Sequence, residues 1–546
     1  MTTIRLKGGR VVDPVSGATS QRDLYLVDGR VAAALPADGR VDDTYDCTGK
    51  IVMAGAVDVH SHIAGGNVTM SRLLLPELHV SEVAGPDGMP FSTAKWSGWE
   101  TGRLYAEMGY TTVIEPALAP VHALQTHLEL ADIPLIDRGA LTVVGNDDHF
   151  LSLLRDREGE TAIRDAVAYQ LATSKGLGLK VINAGGPAAF HSGLRTFELD
   201  DVVPHYGVSS RQILTTLLTA VDQIGVPHPL HVHANNLGVP GAPLTIEDTI
   251  AAAEGRRMHF AHIQFYSYGK DAEGMMTSGA EEIARSLEAA PNVSCDVGQV
   301  MFGPTVTISL DLMKQWQGAA YASPKKFSLT DGDAEGGGVV PLVYAKTNWI
   351  NQLQWAIGLE IFLLSPDPWR VMMTTDHPNG GSFTTYPQII HLLMDSGERA
   401  RWMEAMPQKA KERTGLADLT REYTMEEIAI MTRAAPAKIL GLHDRGHLKD
   451  GAVADVAVYD DLADRTAMFS RARYVFKSGR LTVRDGQALG WISGLTSILA
   501  PEVDTQMESR MADYITDRFG VGPAAFAVPE RAFGDRTIFK VEPCQT

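Results

Sequence analysis

Gly55-Ala-Val-Asp58-Val-His60-Ser-His62 ends a short apolar run with two imidazoles spaced i and i+2. On an extended strand such positions share one face, so both rings can grip a single metal ion. Zinc takes neutral imidazole nitrogens, and a catalytic zinc keeps a position open for water. Standing alone, a His-x-His pair is equally compatible with two buried histidines satisfied by hydrogen bonds. The rest of the chain has to decide.

The chain has 546 residues, 45% of them apolar and 21% charged, which are ordinary globular values, and its length suits about two to four domains or one large α/β barrel with additions. A formal net charge of −18 argues against a nucleic-acid or acidic-membrane surface, because the phosphate field demands clustered Lys and Arg. Cys47, Cys295 and Cys544 lie far apart with no Cys-x-x-Cys pair, so neither a disulfide framework nor a cysteine-ligated cluster is expected. No stretch approaches the roughly 20 apolar residues of a membrane span. These features fit a cytoplasmic protein.

Strand-period alternation marks the first fifty residues, with Asp28-Gly29 as a hairpin signal, and returns at Gly451–Tyr459 and Arg473–Val483. The expectation is a small composite β-sandwich domain built from residues 1–54 and 440–490. Between them, seven further apolar runs follow the one ending at His60: Thr111–Ile114, Leu141–Val144, Leu179–Ile182, Pro229–His233, Met258–His262, Val293–Val297 and Val371–Thr375. Eight such runs separated by helix-compatible segments predict a (β/α)8 TIM barrel over residues 55–439, with its chemistry at the strands' C-terminal ends. Residues 63–97 and 298–369 are long excursions of the kind that form lids, substrate walls or subunit contacts. Residues 491–546 form a C-terminal extension with a helix expected over 504–518.

Lys180 sits inside the apolar strand Gly178-Leu-Lys-Val-Ile182. A buried lysine is costly unless it is paired or modified, and carboxylation by CO2 would make it a carbamate able to bridge two metal ions. An amine that snorkels outward or pairs with a carboxylate is the alternative. His231-Val-His233 repeats the strand-end His-x-His, His259 and His262 follow on the next run, and Asp376 stands just past the eighth.

His-x-His on strand 1, Lys on strand 4, His on strands 5 and 6 and Asp on strand 8 together resemble the binuclear amidohydrolase superfamily. Ala434-Ala-Pro-Ala-Lys438-Ile-Leu-Gly441 and Gly451-Ala-Val-Ala-Asp455 resemble the segment joining barrel to β domain there. Val57–Gly65, Gly109–Pro116, His233–Gly238, His262–Tyr268 and Thr375–Gly381 are similar to the A subunits of formylmethanofuran dehydrogenases and of the formyltransferase/hydrolase complexes of methylotrophic bacteria.

The resemblance implies two zinc ions. One would be held by His60, His62 and Asp376, the other by His233 and His262, with carboxylated Lys180 bridging them. It further implies hydrolysis or formation of the formamide bond on a methanofuran or methylofuran-type C1 carrier, within a multi-subunit complex of one-carbon metabolism. Asp376 would accept the proton of the attacking water and pass it to the leaving amine. Asn183, His231, Asn235, Asn236 and His377 lie beside these ligands as candidates for substrate binding, whereas His259 reads as structural. An acidic carrier would need a local basic patch, for which Arg72, Lys325 and Lys326 are candidates. Two alternatives share the fold: a cyclic-imide or N-acylamino-acid hydrolase, and a catalytically silent scaffold. A redox reading fails because no Gly-x-Gly-x-x-Gly fingerprint exists.

Overall fold

The computed structural model describes residues 2–17, 19–35, 39–76, 97–332, 336–534, 536 and 538–545. Eight parallel strands follow one another in chain order: Ala56–Asp58, Tyr110–Leu118, Asp137–Val143, Gly178–Ile182, Leu230–His233, Met258–Phe260, Val293–Asp296 and Val371–Met372. A parallel bridge between Ser61 and His377 joins the eighth segment back to the first. The third and fourth strands are buried at every residue, as strands covered on both faces must be. The eight apolar runs of the sequence are these strands, and the architecture is the expected TIM-barrel type.

Helices Glu160–Ser174, Ser210–Ile224, Pro243–Ala253, Ala280–Ala289 and Trp349–Leu364 lie side by side in chain order. Local chemistry sets their ends. The Ser209 hydroxyl accepts the Gln212 N–H while the Gln212 side chain returns to the Ser209 N–H, and Gly225 closes that helix in the left-handed region at φ 74°.

Strands from both chain ends form a separate nine-stranded sheet. Lys50–Ala54 from the N-terminal part pairs antiparallel with Val456–Asp460 from the C-terminal part. Its apolar face collects Ile4, Leu6, Leu24, Leu26, Val456 and Val458. The expected hairpin is formed by Asp28 and Gly29, both with positive φ, which matches the twist of the flanking strands.

The extension after residue 490 is tied to the barrel. Thr496 and Ser497 pair in parallel with Arg138 and Gly139, the Leu499 N–H donates to the Gly176 carbonyl, and Thr505–Phe519 is helical. The second excursion carries a three-stranded sheet in which Gly303–Ser309 and Ser328–Thr330 flank Gly337–Tyr344, with helix Leu312–Gly318 between. Of the two excursions singled out in the sequence, residues 77–96 and 333–335 lie outside the described residues. No helix among the described residues is long and apolar enough to cross a membrane.

At the strands' C-terminal ends the backbone turns sharply. Asn183, Asn236, His262 and Asp376 all adopt left-handed φ, between 36° and 62°. Side chains rarely tolerate this region, and such strain collects at functional sites.

Candidate metal centre

His60 and His62 lie just past the first strand and converge on one carboxylate from the eighth. His60 Nε2 is 3.0 Å and His62 Nε2 3.4 Å from Asp376 Oδ1. All three side chains are buried, and their ligand atoms are close enough together to hold one ion. The His62 N–H donates to the His377 carbonyl at 2.7 Å, and the Asn379 amide donates to Asp376 Oδ1 at 2.9 Å, so backbone and carboxylate are both tethered. Burial opposes a charge on Asp376, but His262 and His60 outweigh it and hold its carboxyl well below the ordinary range.

A second pair converges on the neighbouring strands. His233 Nδ1 stands 3.1 Å from His262 Nε2. Burial holds both imidazoles down, which keeps them in the neutral form that binds metal. Lys180 lies in register beside His231 and is 1% exposed. Desolvation lowers its ammonium to about 8 against the pull of Asp376, Asp296 and Glu115.

The donor set fits zinc: imidazole nitrogens and a carboxylate, buried together. His60, His62 and Asp376 could hold one ion, and His233 and His262 stand as a second pair.

Three carboxylates stand behind three of these histidines. Glu115 Oε1 is 3.1 Å from His62 Nδ1, and its other oxygen accepts the Ile63 and Ala64 N–H groups. Glu115 and Asp376 more than offset desolvation at His62, whose imidazole is pushed up to about 9. Asp296 Oδ2 is 3.0 Å from His60 Nδ1 and 3.3 Å from His259 Nε2. Its Oδ1 accepts the His262 N–H and the Thr374 hydroxyl. Asp311 Oδ2, from the second excursion, is 3.2 Å from His233 Nε2. Carboxylates of this kind fix the tautomer and raise the basicity of a metal-binding imidazole. Reading the sequence gives none of the three a role. A signal does exist for Glu115 and Asp296: a carboxylate inside an apolar strand needs the same explanation as Lys180.

The remaining candidates divide. His231 lies below the site, its Nε2 3.0 Å from His60 Nδ1 and its Nδ1 3.1 Å from His228 Nε2. The Asn183 amide donates to Asp311 Oδ1 at 3.2 Å, leaving its own carbonyl oxygen buried without a partner among the described residues. Asn235 has both ends engaged, accepting from the Ser210 hydroxyl and donating to the Phe197 carbonyl. Asn236 donates to Glu198 and Thr245. His377 Nδ1 accepts the Phe383 N–H. His259 bridges Ser294 and Asp296 in the core. Arg72 is 3.6 Å from Glu129, and Lys325 donates to the Ala320 carbonyl.

A cavity of about 410 Å³ opens beside the first ligand set, lined by His62, Glu115, Asn67, His122 and Asp331 among others. No lysine or arginine lines it among the described residues.

Residues 43–488 match the model of the amidohydrolase family. The chain is 58% identical over 538 residues to the A subunit of the formyltransferase/hydrolase complex Fhc of Methylorubrum extorquens, covering 98% of each chain. It is 35% identical to the protein FwdA of Methanocaldococcus jannaschii, covering 94% of each. Its fold matches a chain in the crystal structure of the formyltransferase/hydrolase complex of Methylorubrum extorquens with methylofuran, with a TM-score of 0.97 at 56% identity over 100% of both chains.

Proposed function

Because the chain belongs to the amidohydrolase family, we propose that it hydrolyses the formamide bond of a formylated methylofuran-type carrier, releasing formate and the free amine, as the hydrolase subunit of a formyltransferase/hydrolase complex. The observation that carries this reading is the convergence of His60, His62 and Asp376 beside His233, His262 and buried Lys180, in a chain 58% identical to the A subunit of such a complex. The centre would hold two zinc ions bridged by N6-carboxylated Lys180. Bound there, zinc lowers the pKa of a water and polarises a carbonyl oxygen, which brings formamide hydrolysis to neutral pH.

The chain's own groups then have defined tasks. In the net reaction the C–N bond breaks, the oxygen of water stays with the formyl carbon, and the amine leaves with an added proton. Asp376, whose Oδ1 faces both His60 Nε2 and His62 Nε2, is the carboxylate placed to take that proton and hand it on. Lys180, with its ammonium lowered to about 8, offers a free amine to CO2 near neutral pH. The new N–C bond releases one proton and leaves an anionic carbamate. Glu115 and Asp296 keep His62 and His60 turned toward Asp376.

The deciding experiment is formate release from a formylated furfurylamine carrier by the protein with its co-purifying subunits, wild type against Lys180→Ala. Zinc-dependent release that disappears in the variant is expected. A preparation that holds two metals per chain and releases no formate overturns the formamide substrate, and hydantoin or dihydropyrimidine turnover would replace it.

A further inference from the structure

The second excursion does more than line the mouth of the barrel. Asp311 lies at its centre, 3% exposed, as the N-cap of helix Leu312–Gly318. Its two oxygens have different partners. Oδ1 accepts the Lys314 N–H at 3.0 Å and the Asn183 amide at 3.2 Å, while Oδ2 faces His233 Nε2 at 3.2 Å. His233 turns its other nitrogen, Nδ1, toward His262. If Nδ1 binds metal, Nε2 must carry the proton and needs an acceptor, and among the described residues Asp311 Oδ2 is the acceptor that meets it.

We propose that Asp311 is a positioning residue that fixes the tautomer and orientation of His233 for the second metal ion, so that the excursion between the seventh and eighth strands is part of the metal centre. This role rests on the two-ion reading of the site. Glu115 and Asp296 act from barrel strands; Asp311 acts from the excursion, outside the barrel strands. Second ions would then bind well only when helix Leu312–Gly318 is seated, with its Lys314 ammonium over Gly238, where a Cβ would come within 2.6 Å of Nζ.

The two oxygens allow the roles to be separated. Asp311→Asn keeps an oxygen for the Lys314 N–H but puts an N–H donor opposite the His233 N–H. Asp311→Ser keeps a good helix cap and is too short to reach His233. The full-length protein with its co-purifying subunits is stripped by a chelator and titrated with Zn2+ against a chromophoric competitor. Wild type should bind two ions. Both variants should bind one ion unchanged and the other about 10–100-fold more weakly, and Asp311→Glu should recover part of the loss. Wild-type affinity for both ions in the Asn and Ser variants overturns the proposal and leaves Asp311 a helix cap, as does unfolding of both variants. A wild type that binds fewer than two ions overturns the two-ion centre itself, and this role with it.

Discussion

Asp296 Oδ2 stands 3.0 Å from His60 Nδ1, and both side chains are fully buried. One carboxylate thus supports both halves of the candidate centre, since its other oxygen accepts the backbone N–H of His262. Replacing it by Asn leaves the size unchanged and removes the charge that orients His60. Asp296→Asn should weaken zinc binding about 10–100-fold. It should also destabilise the fold by about 3–5 kcal/mol, because a buried charge network loses one partner. Zinc competition and urea unfolding measure the two effects separately; unchanged zinc affinity would rule out the orienting role.

Lys180 reacts with CO2 only as the free amine. With its ammonium lowered to about 8, the reactive fraction grows as pH rises toward that value and levels off above it. At fixed dissolved CO2, reactivation of the metal-stripped protein by zinc should therefore speed up about tenfold between pH 6 and 7 and flatten above pH 8. Formate release after timed reactivation gives the profile. A rate independent of pH would rule out carboxylation of Lys180 as the limiting step.

Asp376→Asn removes the proton acceptor while leaving His60 and His62 in place. Turnover should fall about 10²–10⁴-fold with zinc still bound at the centre. Metal analysis on the same preparation separates this from loss of a ligand, and turnover near the wild-type rate would sink the assignment.

At the opposite end of the third strand, Asp137 lies 2.8 Å from Lys477 Nζ, pairs with Arg445 at 2.5 Å and accepts the Leu495 N–H at 2.8 Å. It joins barrel, sheet and C-terminal extension through one buried carboxylate. Burial opposes its charge, but Lys477 and Arg445 outweigh it and hold it well below the ordinary range. A carboxyl depressed on folding adds stability above its unfolded pKa of about 3.9 and loses it as pH falls below that value. Asp137→Asn should therefore cost about 3–5 kcal/mol at pH 7, with the difference from wild type shrinking as pH falls below about 4. Urea unfolding at pH 7 and pH 3 tests both; equal differences at the two values would refute the linkage.

Whatever depends on short spacing was legible along the chain alone. Eight apolar runs marked the eight strands, and His60, His62, Lys180, His233, His262 and Asp376 stood out because each interrupts or ends such a run, where a polar group needs a reason. Asp28-Gly29 specified its hairpin by backbone preference. Which groups stand behind these residues was settled by the three-dimensional fold. Glu115 lies 53 positions from His62, Asp311 lies 78 from His233, and Asp296 lies 236 from His60. Contacts at such separations depend on barrel closure and on how the second excursion folds back over the strand ends. The same holds for the extension, whose Thr496 and Ser497 find Arg138 and Gly139 as sheet partners. Strand pairing is carried by backbone groups that every residue shares, so no side-chain pattern announces the partner.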